Sequence, residues 1–235
     1  MMYYGLNQPV ELMKTKNTTI AHQAVLLVAG TLLFTSMLAC AQARPMSGTT
    51  ATGAARISTQ PDPAKTALLL PMQQMVTKLK KLQATGDPDF DYAFVAKIHA
   101  QGEQDFLKQA MLSSKDSLTQ QMAQTLMTGT QADITMLDGT LRQIKPSRPN
   151  QAFTQQQSRN IEAINLKLQQ TGASDKLTGD VDKNVAAILS DHQQDAIDMA
   201  TTYLQYGKND ALRTYAQQLV EKAKSQRARL GAMPK

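Results

Sequence analysis

The sequence predicts an all-α fold, a four-helix bundle assembled from two repeats of one helical hairpin, with additional flanking helices. Three observations predict it. The second half of the chain repeats the first at a constant offset, and apolar residues recur at intervals of three and four. No segment alternates apolar and polar residues as a β-strand does. Two hairpins that bury such apolar stripes against each other form a bundle.

The repeat aligns residues 85–141 with residues 178–234 at an offset of 93, without a gap. The alignment contains 13 identities in 57 positions. Identical pairs include Gly86 with Gly179, Asp89 with Asp182, His99 with His192, and Leu126 with Leu219. We therefore expect two hairpins that superpose on each other.

Each repeat carries two apolar stripes at helical spacing, which predict an antiparallel helix pair. In the second repeat a helix is predicted over residues 182–206, Gly207 ends it, and Asn209 caps the next helix. The stripes of the first repeat are Tyr92, Val95, Ala96, His99, Glu103, Phe106 and Ala110, followed by Thr119, Met122, Leu126, Asp133 and Leu137. A tight turn near Lys115 is expected between them.

Two further helices are predicted beside the hairpins, over residues 72–82 and 153–168. Pro71 suits the first turn of the earlier one, and the Thr85-Gly86 pair suits its end. The helical domain is thus predicted over residues 67–235, behind a disordered linker of small and polar residues at 41–66.

Residues 1–40 have the order of a bacterial export signal. An apolar run at 24–39 follows Lys14 and Lys16, and it is shorter than the ~20 residues that cross a membrane as a helix. Met13 is the predicted start of translation, because the residues before it carry no positive charge. The pattern predicts an envelope protein on the periplasmic side.

Cys40 is the only cysteine, which excludes an intramolecular disulfide. It directly follows Met37-Leu38-Ala39, and this arrangement resembles the lipobox of bacterial lipoproteins. The resemblance implies lipidation of Cys40 and attachment to the membrane by the lipid. The alternative is ordinary cleavage after Ala41 or Ala43, which would leave the protein soluble in the periplasm.

The positive charge near the C-terminus does not predict a nucleic-acid partner. Its residues are Lys222, Lys224, Arg227, Arg229 and Lys235, and no aromatic residue lies between them. A basic last turn complements the helix dipole. The sequence names no protein partner.

A cluster of possible metal ligands lies on the core-facing stripes. His99 and Glu103 are four residues apart, and Asp133 is expected at the level of His99 across the hairpin. His192 is the equivalent histidine of the second repeat, and Met199 follows it along the stripe. If the pseudo-two-fold axis runs along the bundle, both histidines meet in one layer.

Imidazole suits Cu(II) and Zn(II), and the thioether of Met199 would shift the preference towards Cu(I). The alternatives are access of water to the histidines, or a plain ion pair between His99 and Glu103. The further methionines Met111, Met122, Met127 and Met136 are soft donors too, but methionine at helical spacing is more often a flexible core residue.

The helix around His192 resembles the bacterial domain-of-unknown-function 305 family, a ferritin-like group. The stretch reads His192-Gln193-Gln194-Asp195-Ala196-Ile197-Asp198-Met199-Ala200. The family hallmark is His-His-x-x-Ala-Ile-x-Met-Ala with an aspartate ten residues before it, a place that Asp182 fills. The resemblance covers about residues 85–234. A second ferritin-like family of unknown function, numbered 4142, is similar in layout.

The resemblance implies a ferritin-like bundle and, for exported members of such families, a role in copper handling through paired histidines and methionines. This sequence departs from the pattern at three places. Ala100 and Gln193 stand where the second histidine is expected, and Phe106 replaces the methionine of the first repeat. Two functions therefore stay open, a metal-binding accessory protein and a structural or partner-binding bundle with a decayed metal site.

An enzyme is not predicted. The Glu-x-x-His pairs of di-iron bundles do not occur, and no Gly-rich phosphate loop precedes a helix.

Overall fold

The computed structural model describes residues 62–145, 147–173 and 176–232, and these residues form six α-helices without a strand. In chain order the helices are α1 (Pro63–Lys80), α2 (Pro88–Ser113), α3 (Ser117–Leu141), α4 (Gln151–Gly172), α5 (Val181–Tyr206) and α6 (Asp210–Gly231). The predicted all-α bundle is confirmed. The predicted export signal 1–40 and Cys40 lie outside the described residues.

The two predicted hairpins are α2–α3 and α5–α6, with turns at 114–116 and 207–209. Their boundaries correspond at the offset of 93 residues, since α2 and α5 begin at Pro88 and Val181, and α3 and α6 begin at Ser117 and Asp210. Helix α1 packs on α2 as α4 packs on α5. The repeated unit thus contains three helices, and the two predicted flanking helices occupy equivalent places.

Equivalent aspartates begin the two central helices. Asp87 is the N-cap of α2, and its carboxylate accepts hydrogen bonds from the backbone N–H groups of Asp89 and Phe90 at 2.9 and 3.2 Å. Asp180 makes the same two bonds at the start of α5, at 3.0 and 3.2 Å. These bonds satisfy N–H groups that a helix cannot pair internally. Asn209 caps α6, as the sequence predicted.

The predicted bounds of the first helix are wrong. Helix α1 begins at Pro63, inside the predicted linker 41–66, and it ends at Lys80, well before the Thr85-Gly86 pair. Pro71 lies inside the helix, where its ring removes one backbone hydrogen bond. The buried residues on both sides of Pro71 offset that loss, because one continuous face packs into the core. They are Leu68, Leu69, Met72, Met75, Val76 and Leu79.

Helices α2 and α5 run antiparallel and form the contact between the two hairpins. Tyr92, near the start of α2, stacks on Tyr203, near the end of α5, with ring centroids 4.1 Å apart. At the other end, the Ser114 hydroxyl lies 2.5 Å from the Asp182 carboxylate. An antiparallel crossing places the pseudo-two-fold axis across the helices. A pseudo-two-fold axis along the bundle, which the prediction for the two histidines assumed, is therefore wrong.

Helices α1 and α4 also run antiparallel and lie side by side over the central pair. The Lys80 ammonium lies 3.5 Å from the Glu162 carboxylate, and the Lys65 ammonium donates to the Leu177 carbonyl at 2.7 Å. Helices α3 and α6 each pack on their own hairpin partner. Within the part of the chain that the structure covers, no helix has both the length and the apolar character needed to cross a bilayer.

Candidate functional site: a buried histidine pair

His99 and His192 stack face to face where the two repeats meet. Their ring centroids are 3.7 Å apart, the planes are inclined by 8°, and both side chains are buried. Because the two residues are equivalent in the repeat, the pseudo-two-fold axis passes between their rings. Helices α2 and α5 position them by burying the predicted stripes.

Burial lowers the pKa of both histidines, since a charged imidazolium loses its hydration there. For His192 the pKa falls to about 3, with the positive charge of Lys167 as a second cause. For His99 the pKa lies well below its usual value, with His192 and Lys167 adding to the effect of burial. Both rings are neutral at neutral pH, which allows them to stack.

Glu103 lies beside the histidine pair, and both of its carboxylate oxygens accept hydrogen bonds. The Gln193 amide donates to Oε1 at 2.7 Å, and the Thr130 hydroxyl donates to Oε2 at 3.1 Å. The nearest contact to a histidine is longer, 3.9 Å between Oε2 and His192 Nε2. Burial raises the pKa of Glu103 to about 6. The carboxylate is thus held by neutral donors of α3 and α5.

All five predicted metal ligands line one cavity of about 20 Å³. They are His99, Glu103, Asp133, His192 and Met199. A cavity of this size has room for one water molecule. Four atoms of lining residues find no hydrogen-bond partner among the described residues, namely Tyr92 Oη, His99 Nε2, His192 Nδ1 and His192 Nε2. The five residues therefore surround one small space, and binding of a metal by them stays a prediction.

Asp133 has a partner of its own. Its carboxylate accepts a hydrogen bond from the Lys222 ammonium at 2.7 Å, and this ion pair joins α3 to α6. The lysine supplies the positive charge that the carboxylate needs at the edge of the cavity.

A second polar group lies on the other side of His192, towards α4. The Lys167 ammonium and the Asp195 carboxylate are 2.5 Å apart, and the Thr171 hydroxyl donates to Asp191 at 2.8 Å. These residues and His192 border another cavity of about 20 Å³. Burial raises the pKa of Asp195 to about 6 despite the neighbouring ammonium. This polar group was not predicted from the sequence, although Asp191 and Asp195 are one helical turn apart.

The arrangement does not match a metal centre. Among the described residues, no group of three or more histidine, cysteine, aspartate or glutamate side chains is placed to hold a metal ion. An imidazole binds a metal through a lone pair in its ring plane, and two parallel planes 3.7 Å apart direct these lone pairs side by side. One ion cannot lie in both planes. As built, the site is a stacked pair of neutral histidines beside two carboxylates that have partners within the chain.

Comparison of the chain with models of protein families, with curated proteins and with solved structures gives no significant match. The resemblance to the domain-of-unknown-function 305 family therefore rests on the motif residues alone, above all on His192, Met199 and Asp182.

Proposed function

We propose that the protein is a non-enzymatic helical bundle of the bacterial envelope that acts by binding a protein partner, and that its histidine site descends from a metal site. The observation that carries the proposal is the hydrogen bond from the Gln193 amide to Glu103 Oε1, at 2.7 Å. Gln193 stands where the resembling family has its second histidine. A metal ligand has been replaced by a hydrogen-bond donor.

The replacement makes a bound cation unnecessary at Glu103. A buried carboxylate without a partner is costly, and in a metal centre the cation would remove that cost. Here hydrogen bonds from Gln193 and Thr130 offset part of that cost for Glu103, and the Lys222 ammonium pairs with Asp133. The acidic side chains of the site are stable in their places without an ion.

Location in the cell envelope is part of the same proposal, and its support comes from the sequence. The apolar run at 24–39, the lysines before it and Cys40 support export, with a lipid anchor on Cys40. A bundle tethered in this way is suited to hold a partner near the membrane.

Titration of the purified protein with Cu(II), Zn(II) and, under reducing conditions, Cu(I) tests the proposal. We expect binding no tighter than millimolar, and the same weak binding in the double variant His99→Ala, His192→Ala. The variant Gln193→His restores the missing imidazole and removes the amide that occupies Glu103, so we expect tighter Cu(II) binding in it. Micromolar binding in the parent protein that the double variant loses would overturn the proposal.

A specific observation favours a second candidate, a copper-binding accessory protein. All five predicted ligands line one cavity, and three nitrogens of its two histidines have no partner among the described residues. For both histidines to face one ion, at least one ring has to rotate out of the stack. On this reading the rings separate on binding. Binding weakens as the pH falls through about 6, where Glu103 takes up a proton, because the lowered pKa keeps the buried histidines neutral there. The same titration decides between the two candidates.

A further inference from the structure

A groove of about 680 Å³ opens at the end of the bundle where the α2–α3 turn meets the start of α5 and the end of α6. Its apolar wall includes Leu118, Met122, Ala186 and Leu230. Three carboxylates stand around it, those of Asp116, Asp180 and Asp182. A groove of this volume is within the range of binding sites for ligands and peptide side chains.

The opposite end of the bundle shows what the groove lacks. At the repeat offset, Met122 corresponds to Tyr215 and Lys183 corresponds to Phe90. Tyr215 is almost completely buried and borders the cavity beside the histidine pair, whereas Met122 lines the open groove. One end of the duplicated fold thus carries two aromatic side chains at positions where the other end carries none.

The charges at the groove favour a cationic ligand. Asp116 and Asp180 are the N-caps of α3 and α5. The hydrogen bonds that their carboxylates accept from backbone N–H groups lower the pKa of both side chains. Lys183 and Arg229 supply two positive charges against the three aspartates, and Lys183 already lies 3.6 Å from Asp180. The groove therefore has a net negative charge, although the whole chain carries +6.

Two leucines beside the α2–α3 turn are unusually exposed. Leu112 is 81% exposed and Leu118 is 64% exposed, and Leu118 also lines the groove. Large apolar side chains that stand together in solvent commonly mark a protein contact.

We propose that this groove binds a segment of a partner protein in which an aromatic side chain lies next to lysine or arginine. The aromatic ring packs against Leu118 and Met122, as Tyr215 fills the opposite end, and the cation faces the three aspartates. Aromatic and arginine anchors are the residues that contribute most to protein interfaces. The inference rests on the proposed partner-binding function and names its surface.

Two short labelled peptides test it, one that alternates phenylalanine with lysine and one that alternates phenylalanine with glutamate. We expect the basic peptide to bind more tightly by about tenfold or more, with NMR shift changes at Leu118, Met122 and Ala186. The variant Met122→Tyr copies the filled end and should weaken binding by about tenfold while the fold is kept. Leu166→Ser, at an exposed leucine of α4, is the matched control and should leave binding unchanged.

Equal binding of both peptides, or unchanged binding in Met122→Tyr, would overturn this assignment. Sedimentation tests the alternative occupant. If the protein associates with itself and Met122→Tyr abolishes this association, the assignment is overturned and the groove binds a second copy of the chain. Failure of the peptides is distinct from failure of the proposed function, because only micromolar metal binding in the titration overturns the latter.

Discussion

The Tyr203 hydroxyl donates to the Asp89 carboxylate at 2.6 Å, and this bond ties the last turn of α5 to the first turn of α2. The same carboxylate accepts the backbone N–H groups of Lys208 and Asn209, at 2.9 and 3.1 Å. Its equivalent, Asp182, reaches the other turn and is bound by the Ser114 hydroxyl. Each repeat therefore holds the hairpin turn of the other through one aspartate.

We expect Asp89→Ala to lower the free energy of unfolding by about 2–3 kcal/mol and Asp182→Ala by about 1 kcal/mol. Both aspartates lie in the first turn of their helices, so the helix-dipole effect is the same in both variants. The difference between them measures the additional bonds that Asp89 accepts. Urea denaturation gives both values, and equal losses would contradict the unequal contacts of the two turns.

Glu103→Gln should stabilise the protein at neutral pH. Its folded-state pKa of about 6 lies above its ordinary value of 4.5, so keeping the buried charge costs about 2 kcal/mol above pH 6. The cost disappears as the pH falls from 6 towards 4.5, where the acid is neutral in both states. We expect a gain of about 1–2 kcal/mol at pH 7.5 and little at pH 4.5, by urea denaturation. A loss at pH 7.5 would indicate a cation bound at Glu103.

The histidine pair should make the fold acid-sensitive. The pKa of His192 is lowered from 6.5 to about 3 in the folded state. As the pH falls below 6.5, this histidine is protonated in the unfolded state but stays neutral in the folded state. Each such group removes about 1.4 kcal/mol of stability per pH unit in that window. Protonation of Glu103 and Asp195 opposes this loss. We expect His99→Ala, His192→Ala to flatten the loss of stability below pH 6, and an unchanged slope would contradict buried neutral rings.

Gly207 is required by packing rather than by backbone conformation. Its φ is −70°, which any residue adopts, but a Cβ at this place would overlap the Tyr203 ring. Gly207→Ala is therefore expected to cost about 2 kcal/mol or more. Gly139→Ala is the matched control, because nothing lies within 4 Å of a Cβ there, and in the last turn of α3 it should be neutral or add up to about 0.5 kcal/mol. Thermal unfolding compares the two, and a tolerated Gly207→Ala would contradict the close packing of Tyr203.

Lipidation is tested with Cys40→Ser in cells fed a labelled fatty acid. We expect the parent protein to carry the label and to sediment with membranes, and the variant to lose both properties, because the acyl chains supply the anchoring. A variant of Ala43 that keeps Cys40 is the control for general disturbance of the signal. An unlabelled parent protein would instead favour cleavage after Ala41 or Ala43.

The sequence by itself determined the helical hairpins, because their features are local. The spacing of apolar residues identifies the buried faces, Gly207 and the capping residues Asp87, Asp180 and Asn209 set the ends, and the offset of 93 residues reveals the duplication. The predicted start of the first helix was wrong because proline is common in the first turn of a helix, and Pro71 was assigned to that place. Burial of a long apolar face against α2 outweighed that local preference.

Only the tertiary structure decided what the candidate site became. The same stripes are buried whether the repeats meet parallel or antiparallel, so helical spacing does not choose between the two arrangements. The antiparallel crossing of α2 on α5 stacks His99 on His192 and brings Gln193 to Glu103. These residues belong to different repeats, and the orientation of their polar groups depends on how whole helices pack. Sequence spacing therefore named the five predicted ligands, and packing of the helices gave the acidic ones partners within the chain.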